Sequence, residues 1–171
     1  MENGAVPNSF NLAEGLTCHP AEFGINSIGL TLSMATLSKS KKKLFTADYE
    51  IHASIKMLYP YIQSASGLSE WFADDVTINN EDKSLTFYWD DEPHRAKEVA
   101  HRTNHFVRFE FLPKTKEDEQ DPSYFELRLE ANDLTQTVYI KILDYTDNTD
   151  QKELNEMWES LVDALRKTVG G

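Results

Sequence analysis

Residues 151–166 read QKELNEMWESLVDALR, and this stretch decides the fold. Leu154, Met157, Trp158, Leu161, Val162 and Leu165 recur at helical spacing, while Lys152, Glu153, Glu156, Glu159, Asp163 and Arg166 take the opposite side. That pattern is one apolar stripe on an amphipathic helix. Asp150 offers an N-cap oxygen and Gly170 a residue free to end the helix. A helix of this length is marginal alone in water, so the stripe needs a large apolar surface elsewhere in the chain. Trp158 alone brings roughly 150 to 250 Å² to that contact.

The surface comes from a run of segments with a two-residue apolar period, the mark of strands with one buried face. Phe45, Ala47, Tyr49 and Ile51 alternate with Thr46, Asp48, Glu50 and His52. Val76 and Ile78 form a short strand, and the turn at 79–82 leads into Leu85, Phe87 and Trp89. Val107, Phe109 and Phe111 follow, then Phe125, Leu127 and Leu129, then Val138, Ile140 and Ile142 after a turn at Asn132 and Asp133. Arg95 to Arg102 is mostly polar and reads as a strand on an exposed edge.

Between the first two strands, Ser54 caps a short helix carrying Ile55, Leu58, Tyr59 and Ile62, with Pro60 inside it. A second helix is predicted over Ser66 to Phe72, with Leu68, Trp71 and Phe72 on one side. Residues 113–122, PKTKEDEQDP, read as a charged, mobile loop, because two prolines and a run of charges suit neither a sheet nor a core. The simplest assembly is α+β: a curved antiparallel sheet wrapped around a long C-terminal helix, with two short helices after the first strand.

The chain has 171 residues, 40% of them apolar and 11% aromatic, which suits one globular domain with a real core. A net charge of −12 argues against nucleic acid as a partner, since phosphate binding rests on clustered Lys and Arg. The basic run Lys39, Lys41, Lys42 and Lys43 reads as a solvated linker. The single Cys18 excludes an intrachain disulfide and fits a reducing compartment. His19, His52, His94, His101 and His105 lack zinc-site spacing, so no metal and no cofactor are expected. Asp74 and Asp75, and Asp90, Asp91 and Glu92, read as solvated turns rather than a cation site. No stretch approaches the ~18 to 20 apolar residues of a membrane-spanning helix, and no basic start precedes the moderately apolar segment 23–37. A cytoplasmic location is expected.

Residues 1–38 carry Glu2, Glu14 and Glu22, no basic residue, and no stable period. They read as a disordered or irregular extension ahead of a domain at 39–171, and Met34 is a candidate for the natural first residue, which would make 1–33 an overlong gene model.

Three stretches carry a resemblance: Tyr49-Glu50-Ile51-His52-Ala53-Ser54 entering the first helix, the segment from Gly67-Leu68-Ser69-Glu70-Trp71-Phe72 to Val76, and Met157-Trp158-Glu159-Ser160-Leu161 in the last helix. Over roughly residues 44 to 169 the chain resembles the helix-grip fold of the START-like superfamily, and the Gly-Leu-x-x-Trp-Phe element looks like that of the branch related to the C-terminal domain of activators of the heat-shock-protein-90 ATPase. Met157 stands where many members of that branch have Gly. The resemblance implies a small, stand-alone START-like module with an apolar cavity between sheet and helix.

Inward positions are apolar almost throughout, which suits binding better than catalysis. The residues expected to line or rim such a cavity are Phe87, Phe109, Phe111, Phe125, Leu127, Ile140 and Trp158, with Trp71, Phe72 and Trp89 at its open end. The same aromatics also serve as plain core, and Trp71, Phe72 and Trp89 as fasteners of the helix pair to the sheet. Two functions follow: binding of a small hydrophobic molecule, or, as the alternative, a chaperone-associated module whose acidic surface meets a protein partner. No catalytic residue is singled out.

Overall fold

The computed structural model describes residues 41–170, and the readings of residues 1–38 and of Met34 lie outside them. Seven strands form one antiparallel sheet in the order β1-β7-β6-β5-β4-β3-β2. They are β1 (Lys43–Ile51), β2 (Asp75–Ile78), β3 (Ser84–Trp89), β4 (Glu92–Arg102), β5 (Phe106–Phe111), β6 (Tyr124–Ala131) and β7 (Val138–Thr146). Four helices accompany them: α1 (Ile55–Gln63), α2 (Ala65–Leu68), α3 (Lys116–Gln120) and α4 (Gln151–Val169). From β2 to β7 the strands follow one another as a meander, β1 closes on β7, and α4 packs on the inner face, where Trp158 meets Phe72 and bonds Asp144 of β7. This is the α+β helix-grip arrangement read from the sequence.

The caps behave as their chemistry dictates. Asp150 accepts from the backbone N–H of Lys152 and Glu153, and Gly170 ends α4 at φ +75°, a conformation glycine adopts without strain. The β3–β4 turn places Asp90 and Asp91 at φ 51° and 65°, the two-residue hairpin geometry that matches strand twist. Its acidic residues therefore serve the turn, and Asp74 accepts from the Asp90 N–H.

Five expectations are corrected. The second helix stops at Leu68 rather than running to Phe72, because the chain must turn there to drive Trp71 and Phe72 inward. β4 is not an edge: it lies between β3 and β5, and its polar composition reflects an inner face on which only Ala96 is fully covered. The segment 113–122 holds α3, whose capping box joins Thr115 and Asp118. Lys42 bonds both to the Asp118 carboxylate at 2.9 Å and to the Asp121 carbonyl, so it is not a solvated linker residue. Hydrogen bonds from Lys42 and Thr115 hold the Asp118 carboxyl down to about 2. Met157, finally, falls at the border of the α4 stripe and is 43% exposed.

The outer face contains a charge that strand parity places in solvent. Glu126 is only 1% exposed, accepting from Arg108 Nε at 2.6 Å and from Arg128 Nε. Each guanidinium lies over a ring, Arg108 on Tyr124 at 4.4 Å and Arg128 on Phe106 at 5.3 Å. Paired this way the carboxylate is tolerated; stripped of either arginine it would be a buried charge without compensation.

Gly67 is the tightest point of the fold. A Cβ built there would stand 2.3 Å from the Pro60 carbonyl oxygen and 2.6 Å from Tyr61 Cα, both backbone atoms of α1. Gly67→Ala is therefore expected to push α2 off α1 and to cost ~1 to 3 kcal/mol, measured by urea unfolding.

Candidate functional site

The space between sheet and helices is filled by rings. Phe72 arrives from the segment after α2 and meets Phe125 at 4.6 Å, Trp89 at 5.4 Å, Phe87 at 5.5 Å and Trp158 at 5.7 Å between centroids. Phe109 reaches Phe125 at 5.1 Å, and Phe111 reaches it at 5.7 Å. These are the separations of rings in direct edge or face contact. Phe87, Phe109, Leu127, Ile140 and Trp158 are buried to 1% exposure or less, with Phe125 at 2% and Trp71 and Phe72 at 4%. Trp89 and Phe111 are half-buried against the same core.

The tryptophan tips tie the layers together. Trp71 Nε1 donates to the Tyr61 carbonyl and Trp89 Nε1 to the Phe72 carbonyl, both at 2.9 Å. Trp158 Nε1 donates to Asp144 Oδ2 at 2.9 Å. Asp144 shares the inner face of β7 with Val138, Ile140 and Ile142, between Phe45 on β1 and Phe125 on β6. Burial pushes its carboxyl above the ordinary value, and the bond from Trp158 only partly offsets that. Tyr49, also on the inner face, has a buried hydroxyl that finds no hydrogen-bond partner among the described residues; burial and the nearby Glu159 carboxylate raise its pKa.

β4 adds polar groups to the inner face. The cross-strand pairs Phe87 with His94 and Phe109 with Glu98 place that histidine and that glutamate on the ring-bearing side. A bulge between Glu98 and Ala100 resets the parity of β4, so His101 joins Glu98 on one side, Nδ1 to Oε1 at 2.5 Å. His94 sits 5.2 Å from the Trp89 ring, and burial, followed by the Lys114 charge, lowers its pKa.

Beside Glu98 the surface opens into a cleft of about 760 Å³ between the α1–α2 junction and the strands β2, β3 and β4. Val76, Ile78, Leu85 and Ala65 supply its apolar wall, and Gln63, Ser64, Ser66, Lys83 and Glu98 its polar rim. Gln63 Nε2 and Glu98 Oε2 are 3.5 Å apart across it. A second cleft of about 820 Å³ lies where β1 leads into α1 beside the β6–β7 turn, with His52, Ser54, Lys56 and Gln136 among its lining. None of the ten residues read from the sequence as cavity lining borders either cleft. The structure brings those ten together as one cluster, and Trp71, Phe72 and Trp89 fasten the helix pair to the sheet.

Sequence reasoning missed Asp144, Glu98 and the serines at the cleft. Asp144 was signalled by parity alone, two and four residues beyond Ile142 and Ile140. Glu98 required knowing that β4 is internal. Among the described residues no three His, Cys, Asp or Glu side chains converge to hold a metal ion, and no helix is long and apolar enough to cross a membrane.

A family model described as a START-like superfamily domain matches residues 39–171. The chain belongs to the START-like superfamily. Solved structures with this START-like fold include the Aha1 dimer from Colwellia psychrerythraea, at 15% identity and TM-score 0.60, covering 74% of this chain and 96% of that one. XoxI from Bacillus cereus matches at 8% identity and TM-score 0.58, covering 74% and 94%. CalU16 from Micromonospora echinospora matches at 12% identity and TM-score 0.56, covering 75% and 74%. At these identities the likeness establishes the fold alone. A search of curated proteins finds no match.

Two outcomes test the polar groups inside this START-like core. Because the folded Asp144 carboxyl binds its proton more tightly than the unfolded one, its contribution to stability is full below the ordinary carboxyl value and is lost as pH rises through the raised one. Asp144→Asn keeps an acceptor for Trp158 and removes that titration, so unfolding free energies measured across that window are expected to lose this downward slope. Tyr49→Phe deletes a hydroxyl that pays for its burial with no bond, and is expected to leave stability unchanged or raise it by up to ~1 kcal/mol in urea unfolding.

Proposed function

We propose that this START-like domain binds a small, largely apolar molecule bearing a hydrogen-bonding group, admitted at the cleft between the α1–α2 junction and β2, β3 and β4. The observation that carries the reading is the lining: an apolar wall of Val76, Ile78 and Leu85 faces a rim of Gln63, Ser64, Ser66, Lys83 and Glu98. Concave sites that hold small molecules combine these parts, apolar contact area for affinity and a few polar groups for orientation. Ile78 is 53% exposed at this opening, a branched aliphatic side chain in water with a wall to share a guest with. Phe87, Phe109, Phe125, Leu127, Ile140 and Trp158 form the packed body behind that wall, with Trp71, Phe72, Trp89 and Phe111 completing it. A guest that reached them would have to displace rings already in contact, so in this reading they shape and stiffen the site. The rim offers hydroxyl, amide, ammonium and carboxylate groups for positioning, with no cofactor invoked.

The close filling of the interior favours a second reading, in which the domain presents its acidic surface to a protein partner, as in a module related to activators of the heat-shock-protein-90 ATPase. Either activity suits a protein working in the cytoplasm.

Thermal unfolding and native mass spectrometry with medium-chain fatty acids, a sterol and an aromatic polyketide separate the two. A guest present at 100 times its dissociation constant should stabilise the fold by ~2.7 kcal/mol. Ser66→Trp, which plugs the cleft from an exposed position, is expected to abolish that gain while leaving the unliganded melting temperature in place. A gain that survives the plug moves the site elsewhere, and no response across the panel turns the assignment to the protein-binding reading.

A further inference from the structure

The two edges of the sheet are managed differently. At one side β2 is four residues long, too short to template another strand. At the other, β1 runs for nine residues with neither proline nor bulge. The direction of its free groups follows from the ladder. Leu129 N–H donates to His105 O at 2.6 Å and Asn132 N–H to Thr137 O at 2.8 Å, so odd residues of β6 bond toward β5 and even ones toward β7. The register then turns the even residues of β7 toward β1, where they meet Lys43, Phe45, Ala47, Tyr49 and Ile51. Leu44, Thr46, Asp48 and Glu50 consequently aim their backbone groups away from the sheet.

Arg166 confirms the direction. It reaches from α4 around the edge and donates to the Glu50 carbonyl from Nε at 3.0 Å and from Nη2 at 2.8 Å. Among the described residues, no hydrogen bond takes the outward N–H or C=O of Leu44, Thr46 or Asp48; the Asp48 side chain pairs with Lys141 of β7 at 3.4 Å, which leaves its backbone groups open. Thr46 and Asp48 are exposed, and Leu44 is 48% exposed beside them.

We propose that β1 pairs antiparallel with β1 of a second copy of this chain about a two-fold axis at Thr46, joining the two sheets. Charge selects both partner and direction. The strand enters through Lys41, Lys42 and Lys43 and leaves through Asp48 and Glu50. Antiparallel pairing about Thr46 sets Leu44 opposite Asp48 and brings the exposed Lys41 and Lys43 of one strand beside the Asp48 and Glu50 end of the other, while Lys42 keeps its bonds to Asp118 and Asp121; a parallel pairing would stack like charges. The same register makes Thr46 face Thr46 with both backbone groups exchanged, the self-complementarity that a two-fold interface requires. Arg166 marks where the pairing stops, since the Glu50 carbonyl is already taken.

Sedimentation velocity of the full chain over a rising concentration series tests this, with hydrogen exchange followed at the amides of Leu44, Thr46 and Asp48. The expected result is a shift from 19.6 kDa to twice that mass, with protection of those amides appearing only as the dimer forms. Thr46→Pro deletes the central outward N–H without removing a bond to β7, and is expected to raise the dimer dissociation constant at least about tenfold. The pair Asp48→Lys with Glu50→Lys should do the same while keeping every backbone donor, and carries the test if the proline variant fails to fold. A monomer at all concentrations overturns the proposal. So does a dimer indifferent to these substitutions, or protection of the three amides in the monomer, which would place another occupant on the edge.

Discussion

The fold turns on one ring. Phe72 contacts side chains from β3, β6 and α4, so the turn after α2, the sheet and the terminal helix all converge on it. Its position is fixed by backbone rather than by other rings. Ser64 caps α2 through the Gly67 N–H at 3.0 Å, Gly67 lets α2 lie against the α1 backbone, and the chain then bends at Leu68. Were α2 an ångström further out, Phe72 would leave Phe125 and Trp158 facing a gap, and dispersion contacts fall steeply over that distance. A few residues of tight local geometry thus determine whether two distant apolar surfaces fit each other.

Much of this was legible because it is local. The α4 stripe and its caps, the strand parities of β1, β3, β5, β6 and β7, and the Ser54 cap each depend on residues a few positions apart, which a sequence displays directly. What stayed hidden depends on neighbours distant in sequence. β4 looks like an edge because its inner face borders the cleft and its outer face meets water, so only Ala96 reports its central place. Glu126 has the parity of a solvent-facing residue, yet Arg108 from the next strand and Arg128 beside it close over it. The hydrophobic pattern cannot show such a triad, since its members are polar at positions where polar residues are expected.

The candidate site divides in the same way. The sequence placed these aromatic residues on one inward face, and the structure gathers them there, but ring count does not determine whether rings line a space or fill it. That depends on how deeply the segment carrying Trp71 and Phe72 descends, which Gly67 and the α1–α2 contact decide. With those two rings inside, the open volume lies where β4 bulges and α1 gives way to α2. The serines and glutamate of that rim were unremarkable in sequence, being polar residues near turns.

The ring cluster and the cleft are consequently adjoining regions. The ring cluster supplies the apolar burial on which α4 depends, and its one carboxylate, Asp144, lies where Trp158 can bond it. The cleft leaves Ile78 53% exposed, apolar area whose burial is forgone while the cleft is empty. Val76 and Leu85 belong at once to the cleft wall and to the buried core, as neighbours of Phe87 across and along β3. A guest resting on them would extend the core outward rather than occupy a separate chamber. Its binding would then register as added cohesion of β2 and β3 against the rest of the sheet, the part of the domain held by the fewest strands.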